Sequence, residues 1–160
     1  MNEMTHRVAP QIAAHLRQVF VGGNWTYVNL RDTLADVSWQ QAMASKPNGH
    51  SIVKLTYHIH YFVAAVLPVL NGLPLDAHDQ FSFDHPDLTD EASWRRFVQS
   101  VLNDAEELVL LIESLPDTML WEVFTDEKYG NYYRNFHGII EHTHYHLAQI
   151  VMIKKELQSV

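Results

Sequence analysis

The sequence predicts an all-α chain, a single four-helix bundle with long connectors. Three observations predict it. Four stretches repeat apolar residues at three- and four-residue spacing, the period of a helix that buries one face. No run alternates apolar and polar residues between turn signals, so no strand is expected. The 160 residues suit one core rather than two, and no linker, repeat or low-complexity segment divides them. Amphipathic helices with narrow apolar faces bury them most simply against one another.

The first helix is expected over 9–21. Val8, Ile12, His15, Leu16 and Val19 share a face, Pro10 suits a first turn, and Gly22-Gly23 ends the helix. A connector follows, with a short helix over 38–44 that starts on Ser38, a good N-cap. Asn48-Gly49 reads as a turn into the second long helix. That helix is expected over 51–72, striped by Ile52, Leu55, Ile59, Phe62, Val66 and Val69, with Pro68 kinking or ending its last turn. The next connector, LPLDAHDQFSFDHPDL, reads as an exposed loop.

Thr89-Asp90-Glu91 is a helix-start signal, and the third long helix runs from it to Pro116 with the cleanest apolar stripe in the chain. The loop DTMLWEVFTDEKYGN separates it from the fourth, expected over 132–157. Phe136, Ile139, Ile140, Thr143, Leu147, Ile150 and Ile153 form the inward stripe of that last helix.

Charge and composition exclude several functions. The formal net charge is −8 and no basic run exists, which argues against a nucleic-acid partner. The absence of cysteine rules out disulfides, thiolate metal sites and a cysteine nucleophile. The start, MNEMTHRVAP, lacks the basic and apolar parts of a leader. The longest apolar run, 62–70, is interrupted by Pro68 and is short of a bilayer span. The expectation is a cytoplasmic protein with no membrane partner.

The anomaly is histidine: 11 residues, as many as Lys and Arg together. His142 and His146 are four apart, so on a helix they stack one turn apart on one face, alongside Ile139 and Ile153. Neutral imidazole is the commonest metal ligand, and buried ring nitrogens without partners are costly. One helix supplies only two such ligands at reasonable geometry. The third candidate is His58, on the inward face of the second helix between Leu55 and Phe62. Three histidines with an open position are the pattern of a catalytic site. The other reading of each is a hydrogen-bonded core histidine.

The remaining histidines are weaker candidates. His60 falls on another face of its helix, and His15 is a possible fourth ligand. His144 should point away from the pair, and His137 sits one turn before Glu141. His50 precedes the second helix, and His6, His78 and His85 should face solvent. Trp25, Trp39, Trp94 and Trp121 read as core or loop anchors.

The segments SIVKLTYHIHYF and GIIEHTHYHLAQI together resemble the DinB/YfiT-like superfamily. The carrying residues are Ile52, Leu55, His58 and Ile59, then His142, Tyr145, His146, Gln149 and Ile150. The resemblance covers essentially the whole chain. It implies a four-helix bundle with an unusual crossover, zinc or nickel on His58, His142 and His146, and a homodimer. It also implies a small-molecule substrate, with low-molecular-weight thiols used in some branches and hydrolase-like chemistry inferred in others.

Three functions compete. In the first, a metal-dependent enzyme activates a thiol or a water, with Glu141, Tyr145 or His60 as hydrogen-bond partners around the ligands. In the second, a non-catalytic, stress-related protein uses the ion to lock two helices together. In the third, a helical scaffold holds no metal.

Overall fold

The computed structural model describes residues 6–47 and 49–158; the first five residues of the start read above and Asn48 of the expected turn fall outside them. Among the described residues the chain is all-α, with no strand and one isolated antiparallel bridge, Val123 to Asn131. Six helices occur among these residues, in the order α1 (Val8–Val21), α2 (Leu30–Leu34), α3 (Trp39–Met43), α4 (Ile52–Leu70), α5 (Glu91–Ser114) and α6 (Tyr132–Gln158). The long ones are α1, α4, α5 and α6. Both α1 and α4 lie against both α5 and α6.

Local chemistry explains most boundaries. Ser38 and Gln41 close a capping box at α3, and the Ser51 side chain accepts from Lys54 N–H at the start of α4. Asp90 and Ser93 do the same reciprocally for α5. The first turn of α1 has no local side-chain cap. Its orphan donors go instead to Asp117, in the turn after α5: the carboxylate accepts from Val8 N–H at 2.7 Å and Ala9 N–H at 3.0 Å.

At Pro68 the helix continues to Leu70 before stopping. Proline lacks an N–H but its carbonyl still accepts, here from Leu73 N–H at 2.9 Å, while Gly72 N–H donates to Val69 at 3.0 Å. This paired termination places its C′ residue in the left-handed region, and Gly72 has φ +81°.

The core joins the four long helices through Leu16, Ile59, Trp94, Leu108, Ile112 and Phe136, all fully buried. Two buried hydroxyls would be costly unpaired. Thr56 and Thr143 donate instead to the carbonyls of Ile52 and Ile139, four residues back on their own helices. Helix α4 is long and apolar enough to cross a membrane by length and composition alone. Half of its most apolar window is buried inside the protein. α4 also lies beside α6, and this pairing positions the site.

Candidate metal centre

His58 projects from α4, and His142 and His146 from α6, into one cluster. Each offers one ring nitrogen, and these nitrogens lie within 4.8 Å of one another. The ring centroids are 4.7 Å apart for His58 and His142, 4.6 Å for His58 and His146, and 4.5 Å for His142 and His146. Nitrogens each about 2.1 Å from one tetrahedral ion would stand roughly 3.4 Å apart, so modest ring rotations would close the set.

Two of the rings are already oriented. His58 Nδ1 lies 3.2 Å from the carbonyl of Ser82, and His146 Nδ1 lies 2.7 Å from Gln149 Oε1. Both partners are acceptors, so Nδ1 carries the proton and the Nε2 lone pair is left free. A metal-ligating histidine is held in this way. The third ring differs: His142 Nδ1 is buried without a hydrogen-bond partner. An orphaned buried nitrogen beside two free lone pairs fits a site for a cation.

The electrostatics agree with neutral rings. Burial pushes the pKa of His142 down to about 4, with the rings of His146 and His58 adding to the effect. His58 and His146 are lowered too, mainly by burial; the Ser82 carbonyl and Gln149 partly oppose this. Neutral imidazoles are the form that ligates a metal.

The surroundings come from a segment that reads as exposed loop. A 3₁₀ turn, Asp79–Phe81, folds over α4 and brings Ser82 and Phe83 onto His58. Ser82 is buried, and its hydroxyl donates to the Asp79 carbonyl at 2.7 Å. The Phe83 ring stacks on His58 at 4.0 Å and 6°. Phe62 stands edge-on to both His58 and His142. Ser82 and Phe83 have no sequence signal. Gln149 has one, its position one turn after His146.

Beside His142 a cavity of about 740 Å³ opens to solvent, lined by apolar Phe62, Val66 and Ile139 and by Arg134, Asp79 and Glu141. A second of about 590 Å³ lies near His50, Tyr145 and Gln149.

Other histidines depart from expectation. His60 is not beside the cluster: its Nε2 pairs with Asp104 of α5 at 2.6 Å. His15 is exposed, with His144 of α6 the group it perturbs, and so is no fourth ligand. His144 is half-buried. His137 packs on Tyr133, and among the described residues no ion pair joins it to Glu141. His50 is close enough to lower the pKa of both His58 and His146. His6 and His78 are exposed, as expected, but His85 is half-buried. Tyr145 is 64% exposed and meets the His146 ring edge-on, without a hydrogen bond to it. Among the tryptophans Trp94 is core and Trp39 is anchored by Nε1 donating to Leu88, whereas Trp25 is 95% exposed.

Comparison with protein-family models, with curated proteins and with solved structures gives no match, so the functional reading rests on the cluster itself.

Proposed function

We propose that this chain is a DinB/YfiT-like four-helix bundle and a metal-dependent enzyme, with His58, His142 and His146 as the ligands of one zinc or nickel ion. The observation that carries the reading is the convergence of three neutral imidazoles, two of them with Nδ1 tied to acceptors, beside an open cavity. A bound divalent ion supplies Lewis acidity, which lowers the pKa of a coordinated water or thiol.

The chain's own residues do the rest. Gln149 and Ser82 hold two ligand rings in one tautomer and orientation. Phe62 and Phe83 wall the cluster from solvent. The cavity on the His142 side admits a small molecule, and Glu141, exposed at its edge next to His142, is placed to accept a proton. The family resemblance adds a thiol as the group to be activated and a homodimer as the assembly. The open cavity favours an enzyme over a purely structural ion, which needs no access.

Protein purified without a polyhistidine tag should contain about one zinc or nickel per chain by elemental analysis. Alanine at His58, His142 or His146 should abolish that content, and alanine at His60 or His15 should not. A tag-free protein that stays metal-free after equilibration with zinc and with nickel sinks the reading.

A further inference from the structure

The cavity beside His142 has a wall that the packing of the fold does not require. Gly138 lies in the interior of α6, four residues from Arg134 and four from His142, so the three positions follow one another along one face. Glycine inside a helix is less stable than alanine. A Cβ built on Gly138 would meet no atom within 4 Å, so no neighbouring side chain demands its absence. What lies over the bare backbone is the cavity, which Arg134, Gly138 and His142 all line.

The two ends of this face differ in charge. At the histidine end stand Glu141, adjacent to His142, and Asp79, whose carbonyl holds the Ser82 that contacts His58. At the other end Arg134 has no carboxylate partner among the described residues; His78, another ionisable group of the lining, pairs with Asp76. Arg134 is held in place by its own turn. Nη1 donates to the Tyr129 carbonyl at 2.9 Å, and the stem passes so close to Gly130 that a Cβ there would come within 3.0 Å of it. One donor is committed and the rest of the guanidinium fork is available for an anion.

We propose that the cavity binds an elongated small molecule bearing a carboxylate, with its anionic end on Arg134, its middle over Gly138 against Phe62 and Ile139, and its other end at the histidine cluster. The proposal rests on the reading of that cluster as a metal centre. From Arg134 to His142 the helix rises about 12 Å. A ligand that reaches both ends must therefore be a chain rather than a compact ring, and the apolar wall suits a methylene or aryl spacer.

Isothermal titration of the zinc-loaded, tag-free protein with α,ω-dicarboxylates from succinate to dodecanedioate tests this, with monocarboxylates of equal length as controls. One intermediate length should bind about tenfold tighter than its monocarboxylate, the worth of one charge-assisted contact. Arg134→Gln should erase that advantage and leave zinc affinity and monocarboxylate binding unchanged; Arg134→Lys should keep part of it. Gly138→Leu, a good helix former, should abolish the advantage by filling the space between the ends. Equal binding of mono- and dicarboxylates, or an advantage that survives Arg134→Gln, overturns the inference and leaves the metal reading standing. Failure to take up zinc overturns the metal reading first and this inference with it.

Discussion

Gln149 Oε1 lies 2.7 Å from Nδ1 of His146, one helical turn before it, and is its hydrogen-bond partner. The acceptor fixes which nitrogen carries the proton and increases the basicity of the other. Losing such a partner costs about 10- to 100-fold in metal affinity. Gln149→Ala should therefore weaken zinc binding by at least about tenfold in a competitive chelator titration, while the helical circular dichroism is unchanged. Unaltered affinity would mean that the contact does not orient a ligand.

Acid should destabilise the metal-free protein earlier than its carboxylates alone would. His142 is held down to about 4 in the fold and has an ordinary value of 6.5 when unfolded. Between those values the unfolded chain binds the proton and the folded chain does not. Stability is therefore complete above about pH 6.5 and is lost as the pH falls toward 4. His58 and His146, lowered in the same direction, add to the slope. Melting temperatures of the metal-free protein across this range should fall with acidity, and less steeply for His142→Asn. Parallel curves for the two proteins would contradict the assignment.

Asp117 ties the start of α1 to the turn after α5 through two backbone donors. Asp117→Ala should lower the melting temperature by about 2–4 °C, the usual effect of a lost cap in a protein of this size. Amide exchange should quicken at Val8 and Ala9, and zinc affinity should not change. The carboxyl is held below its ordinary range by those same two N–H groups. This contribution is therefore present above about pH 4 and disappears only as acid protonates the folded form.

Gly138→Ala should stabilise the fold by about 1 kcal/mol, because the methyl group meets no neighbour and the helix gains propensity. Denaturant unfolding measures it directly. A destabilised variant would indicate that the helix needs glycine there for its own packing.

The long helices were legible because each buries a stripe at helical spacing, and for α5 the capping residue Asp90 marks the start as well. The cluster was legible for a related reason: the i, i+4 pair His142 and His146 and the lone His58 all sit within those stripes. Helix α2 went unseen because its five residues are too few to display a period. Ser82 and Phe83 were hidden because tertiary folding, not local pattern, brings the connector over His58. His15 sits at the edge of its stripe, where one residue's rotation decides between core and solvent, and it is exposed.

His58 and His60 are two residues apart on α4, roughly 200° around its axis. One joins the cluster with α6, and the other clasps Asp104 on α5. Turning α4 about its axis in either direction would break both attachments at once. The helix is thus keyed like a shaft between two sockets, and the aim of His58 is set in part by a residue on a helix that contributes nothing to the cluster.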